Sequence, residues 1–177
     1  VGVVGDDVNE YTLSTAFDVS SASFVDSFSI SSQDNFPQSV TFNNDGTKMF
    51  VAGSTTKGVN EYTLSTGFDV SSANFVDSFS VSSQSNGPLG VAFNNDGTKM
   101  FVSTYPEADI NEYDLSTGFD VSTASFVDGF SVASQETQPS SVVFNNDGTK
   151  MFVVGVAGRD VNEYTLSTGF DVSTASF

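Results

Sequence analysis

Carboxylates are the plentiful reactive groups of this chain, which carries 22 Asp and Glu against 5 Lys and Arg, with no His and no Cys. They recur in columns 51 residues apart: Glu10, Glu61, Glu112 and Glu163; Asp18, Asp69, Asp120 and Asp171; Asp26, Asp77 and Asp128; Asp45, Asp96 and Asp147. Carboxylates can do two kinds of chemistry here. A ring of hard oxygens suits Ca²⁺. A pair in one cleft, one member with a raised pKa, suits hydrolysis of a glycosidic bond. Repetition argues against the second, because a catalytic pair should be singular. Asn43-Asn44-Asp45 also clusters oxygens, but its spacing is not the alternating-ligand pattern with a distal Glu of a Ca²⁺ loop. The Asp that follows Phe in each copy is expected to cap its own backbone. Without His, a Ser-His-Asp triad is excluded despite the abundant Ser. The reading therefore assigns no catalytic residue, no metal ligand and no cofactor, with Ca²⁺ the ion these oxygens would suit best.

The columns come from a repeat. Asn-Glu-Tyr starts at Asn9, Asn60, Asn111 and Asn162, and Phe-Asn-Asn-Asp-Gly-Thr-Lys-Met-Phe starts at Phe42, Phe93 and Phe144. Strand-favouring residues alternate between turn signals, and no long helical period appears. The first full copy predicts strands over Ser39–Asn43, Lys48–Gly53, Val59–Ser65 and Phe75–Val81. Asp45-Gly46 supplies the positive φ of a tight hairpin between the first two. Four antiparallel strands per tandem repeat predict an all-β fold of β-propeller blades, about 3.5 of them. Phe recurs at Phe17/Phe68/Phe119/Phe170, Phe24/Phe75/Phe126/Phe177, Phe28/Phe79/Phe130, Phe42/Phe93/Phe144 and Phe50/Phe101/Phe152, and Tyr at Tyr11/Tyr62/Tyr113/Tyr164. These aromatic columns are expected to pack between neighbouring sheets.

The hairpin carries a resemblance. Phe42 to Val51, Phe-Asn-Asn-Asp-Gly-Thr-Lys-Met-Phe-Val, is similar to the Phe-Ser-Pro-Asp-Gly-Thr-Lys-Leu-Tyr-Val hairpin of YVTN-type bacterial β-propeller repeats. It covers the first two strands of each blade and occurs three times, with Asn44, Asn95 and Asn146 where that family usually has Pro. The resemblance implies a propeller and often an extracellular location. It implies no single activity, since some relatives are enzymes and many are surface proteins.

A single repeat domain over 1–177 is expected, divided as a partial blade 1–38, blades 39–89 and 90–140, and a partial blade 141–177. On this reading the blades hold three, four, four and three strands. An incomplete ring leaves unpaired edges. It predicts a longer parent chain or self-association, two copies supplying about seven blades.

Connections alternate faces. The first-to-second and third-to-fourth ones barely vary between copies, whereas the second-to-third and blade-to-blade ones vary strongly and share the opposite face. On that face lie Asp34, Asn35, Phe36, Gln38, Lys57, Asn86, Leu89, Tyr105, Glu107, Asp109, Glu136, Gln138, Arg159 and Asp160. Loops on a rigid scaffold commonly carry recognition, so these are the expected partner-binding residues.

The net charge of −17 argues against nucleic acid and against an anionic membrane surface, and no run of about 18 apolar residues would span a bilayer. No signal peptide or initiator Met is visible, which reads as a processed or partial chain. The function expected from sequence is a non-catalytic scaffold, extracellular or on a virion surface, that binds an unidentified protein or carbohydrate through the variable loops. A structural fibre or surface-layer component assembling through its open ends is one alternative, and a carboxylate-based hydrolase is another.

Overall fold

The computed structural model describes all residues except Val3. The chain folds as four antiparallel sheets in series. Strands β1 (Asp7–Leu13) and β2 (Ala22–Ser29) form the first; β3 (Pro37–Phe42), β4 (Lys48–Gly53), β5 (Gly58–Leu64) and β6 (Ala73–Ser80) the second. The third holds β7 (Pro88–Phe93), β8 (Lys99–Thr104), β9 (Asp109–Leu115) and β10 (Ala124–Ser131), and the fourth β11 (Pro139–Phe144), β12 (Lys150–Gly155), β13 (Val161–Leu166) and β14 (Ala175–Ser176). Each full sheet runs in chain order from its first strand to its fourth. The first strands β3, β7 and β11 lie beside one another, and the fourth strands face outward. This is the blade arrangement of a β-propeller.

The distribution of strands differs from that expected. Among the described residues the first sheet has two strands rather than three, and Val1-Gly2 aligns with only the last two residues of β12. The fourth sheet gains the short β14.

Each blade is built by the same local rules. Gly46, at φ +72°, turns the β3–β4 hairpin, and the Asp45 carboxylate accepts the Thr47 N–H at 3.0 Å and its hydroxyl at 2.6 Å. The Phe68 ring covers that turn, and a Cβ on Gly46 would lie 2.3 Å from it. To reach there Phe68 itself takes φ +64°, as Phe17, Phe119 and Phe170 do in their copies. Such a backbone costs about 1–3 kcal/mol and persists only where packing over-determines it. The next residue, Asp69, caps a one-turn 3-10 helix by accepting the Ser71 N–H, as Asp18, Asp120 and Asp171 do in theirs. The expected capping role holds.

The core lies between sheets. Met49, Val51, Tyr62, Leu64 and Val70 pack against Val8 and Ile30 of the preceding sheet. One repeat on, Met100, Val102, Tyr113, Leu115 and Val121 pack against Phe50, Ala52 and Val59. Phe50 meets Phe93 at 4.5 Å and Phe101 meets Phe144 at 4.3 Å. Not all the aromatics lie in the expected core: Phe24, Phe75 and Phe126 are exposed on the outward fourth strands, as is Phe177 just beyond β14, and Phe17 and Phe68 are exposed as well. A bulge in the third-to-fourth strand pairing, between Glu61 and Tyr62, puts Phe75 edge-on to Tyr62 at 5.7 Å rather than between sheets.

Candidate functional site

The two families of loops do separate onto opposite faces. The constant hairpin and the third-to-fourth connection meet on one, where the Phe68 N–H donates to the Gly46 carbonyl at 3.0 Å. On the other, the Ser54 N–H donates to the Phe36 carbonyl at 3.1 Å and the Val81 N–H to the Lys57 carbonyl at 2.9 Å.

A buried polar column holds the variable face together. Asp34, Ser85 and Glu136 occupy one repeat position and all are buried. Asp34 accepts the N–H groups of Phe36 at 2.7 Å and Thr56 at 2.8 Å, and the Thr56 hydroxyl at 2.7 Å. Glu136 accepts the N–H groups of Gln138 at 2.7 Å, Gly158 at 2.8 Å and Ala157 at 3.1 Å. Burial opposes ionisation of Glu136, but these donors outweigh it and hold its carboxyl below the ordinary carboxylate value. Where the column carries Ser85, the carboxylate comes instead from the loop itself: the Ser85 hydroxyl donates to Glu107. Asp34 and Glu136 are therefore loop anchors rather than outward-facing groups. Apart from the Thr56 hydroxyl, their partners are backbone N–H groups, which sequence does not display. Ser85 was missed by sequence reasoning, although its spacing from Asp34 and Glu136 marks it.

The remaining expected residues separate. Asn35, Phe36, Lys57, Asn86, Tyr105, Arg159 and Asp160 are exposed, and Gln38, Leu89, Glu107, Asp109 and Gln138 are half-buried. The Thr55 hydroxyl meets Asn35, Gln38 donates to Ser54 at 3.2 Å, and Asp160 accepts from Asn162 at 3.0 Å. One group does converge across a blade boundary. The Lys57 ammonium donates to the Asn86 side chain at 2.9 Å, next in sequence to the Ser85 that holds Glu107, and the Tyr105 N–H donates to the Gly87 carbonyl at 2.9 Å. Glu107 has no acidic mate in other copies, which carry Thr56 and Gly158 there.

The recurring glutamates are tied to structure. Glu61 bridges Lys48 at 2.6 Å and the Val121 N–H of the next sheet at 2.9 Å. Glu112 does the same with Lys99 and, at 2.9 Å, the Val172 N–H.

No family model matches the chain, and no curated protein matches it in sequence. Solved structures do. A protein of Bacteroides fragilis provisionally described as a 6-phosphogluconolactonase is 13% identical with a TM-score of 0.66, covering 98% of this chain and 47% of that one. The periplasmic gluconolactonase of Pseudomonas aeruginosa is 14% identical with a TM-score of 0.63, covering 97% and 47%. The Swd1 β-propeller domain of Myceliophteria thermophila is 12% identical with a TM-score of 0.58, covering 92% and 48%. The chain thus spans about half the length of the structures it resembles, and what it shares with them is the β-propeller fold. The finer likeness to YVTN-type repeats rests on the hairpin motif alone.

The expected function needs correction. A non-catalytic partner-binding scaffold does not stand, because the structural neighbours include proteins named as lactonases. Within the chain, two of the residues assigned to a partner, Asp34 and Glu136, are spent on the loops themselves.

Proposed function

We propose that this chain forms part of a carboxylate-using hydrolase of the propeller type, acting on a small anionic sugar lactone or ester at the variable-loop face. The observation that carries the reading is Glu107. It is a carboxylate of that face with no acidic repeat mate, and it is fixed by Ser85 beside the Lys57–Asn86 pair. The lactonases among the structural neighbours support the substrate class. Lys57 would hold an anionic group of the substrate. Glu107 would take a proton from water as its oxygen attacks the carbonyl carbon, and the ring C–O bond would break with that proton passing to the leaving oxygen.

Hydrolysis of glucono-δ-lactone and of its 6-phosphate, followed at constant pH against the spontaneous rate, tests this. Glu107→Gln should lower kcat about 10²-fold, the usual contribution of a positioned general base, while Lys57→Ala raises KM for the phosphorylated substrate. A rate equal to the spontaneous one for both lactones would sink the proposal, as would full activity in Glu107→Gln.

A further inference from the structure

Asn86-Gly87 is the single Asn-Gly pair of the chain. In such a pair the backbone nitrogen can turn on the preceding amide side chain, because glycine has no Cβ to shield it. Packing alone already requires the glycine: a Cβ on Gly87 would lie 2.2 Å from the Tyr105 carbonyl oxygen, so the loop after β8 could not sit against it. The turn itself repeats. In the other copies the Asp34 and Glu136 carboxylates accept the N–H groups of Phe36 and Gln138 at 2.7 Å, and here the Ser85 hydroxyl accepts the Gly87 N–H at 3.1 Å.

What surrounds the pair does not repeat. The buried Ser85 accepts the Gly87 N–H while donating its own proton to Glu107, so a proton path runs from the Gly87 nitrogen through a hydroxyl to a carboxylate. On the other side, the Lys57 ammonium donates to Asn86 Oδ1 at 2.9 Å. That oxygen is where negative charge gathers when Asn86 Cγ is attacked, and a fixed cation there stabilises it. The Lys57 carbonyl accepts the Val81 N–H at 2.9 Å, so the fold sets where the side chain starts its reach across the blade boundary. Asn35, in the equivalent turn, has neither device: Phe36 follows it, and the Thr55 hydroxyl meets its Oδ1 in place of an ammonium.

We infer that Asn86 is a self-modification site, at which the folded chain converts its own amide into a carboxylate. The Gly87 nitrogen attacks Asn86 Cγ. Its proton passes to Ser85 as the Ser85 proton passes to Glu107, and the Cγ–Oδ1 π electrons move onto Oδ1 beside Lys57. Collapse of that oxyanion breaks the Cγ–Nδ2 bond, and Nδ2 leaves as ammonia with the proton returned from Glu107. Water then opens the cyclic imide at either carbonyl, leaving aspartate or isoaspartate at this position. The new carboxylate adds one negative charge to the −17 of the chain. It faces Lys57, so a hydrogen bond becomes an ion pair, and the variable-loop face loses a free cation at that blade boundary.

Incubating the full chain at neutral pH tests this, with the mass of the proteolytic fragment that carries residue 86 and enzymatic methylation of isoaspartate as readouts. The reaction should run at least about tenfold faster in the folded chain than in the same chain unfolded in guanidinium, a fraction of the about 10²-fold that one buried oxyanion donor supplies. Lys57→Ala and Glu107→Gln should each remove that advantage and leave the unfolded rate unchanged, since neither residue is near the pair in sequence. Lys57 is exposed, so its replacement should leave the circular dichroism spectrum unchanged. A folded rate equal to or below the unfolded one overturns the inference, because the turn would then only restrain the pair. So does a folded rate that both substitutions leave untouched. No lactone enters the experiment, so its result is separate from that of the hydrolysis assay.

Discussion

Lys99 sits between two carboxylates of different standing: Glu112, whose side chain is 2% exposed, and Asp114, 56% exposed at 2.9 Å. Burial opposes its charge, but the hydrogen bonds to both carboxylates outweigh this and raise its pKa above the ordinary lysine value. Glu112 also accepts the buried Val172 N–H, so it joins two blades, whereas Asp114 only decorates one. Glu112→Ala should therefore destabilise by about 2–4 kcal/mol, since it leaves the buried Val172 N–H without a partner and the half-buried Lys99 ammonium with the exposed Asp114 alone. Asp114→Ala should cost under about 1 kcal/mol, as exposed pairs do. Urea denaturation of both variants checks the contrast, and equal losses would refute it.

Glu136 ties folding to pH. Its folded pKa is depressed, so it contributes stability above its unfolded value that is lost as pH falls through the folded one. Asp45, Asp96 and Asp147, lowered by the hydroxyl and backbone N–H of Thr47, Thr98 and Thr149, act in the same direction. Stability should hold at neutral pH and decline below the ordinary carboxylate range, about pH 4. Glu136→Gln should flatten part of that decline. A chemical-denaturation midpoint measured across pH that is identical in the variant would exclude the role.

Gly97 cannot be replaced cheaply. It takes φ +73°, and a Cβ there would lie 2.3 Å from the Phe119 ring. Gly97→Ala should cost about 2–4 kcal/mol, combining backbone strain with overpacking. A melting temperature within error of the unmodified chain would show that the ring moves aside freely.

Tyr62 and Tyr113 occupy the same buried position, yet the Tyr113 hydroxyl reaches Gln84 at 3.4 Å while the Tyr62 hydroxyl is without a partner among the described residues. Burial, with the Asp34 charge, pushes the Tyr62 hydroxyl pKa above the ordinary tyrosine value. Removing an unpartnered buried hydroxyl is neutral or stabilising. Tyr62→Phe should shift stability by about 0 to +1 kcal/mol, and a loss above about 1 kcal/mol in equilibrium unfolding would reveal a partner for that hydroxyl.

The repeat made most of the fold legible. Lys48–Gly53 was expected as a strand and is β4 to the residue. The first strand of the blade was expected from Ser39, but begins at Pro37. A strand paired on one side only tolerates a proline, and the bulge between Pro37 and Ser39 absorbs the missing donor. The site was less legible. Asp34 and Glu136 are acidic and lie in variable loops, which pointed them outward, and only folding reveals the N–H groups that take them inward. The exchange of Asp34 or Glu136 for Ser85 plus Glu107 was present in the sequence, but as a compensation between two loops far apart in the chain.

The sameness of the blades has a kinetic consequence. Ala73–Ser80 and Ala124–Ser131 differ at two positions, Asn74 against Ser125 and Ser78 against Gly129, so side-chain chemistry barely distinguishes the correct neighbour of β5 from the strand one repeat away. What selects the partner is the short connection, since closing a longer loop carries more entropy. Each outer hairpin should thus zip from its own turn, and errors should take the form of whole-repeat exchanges between otherwise well-formed sheets.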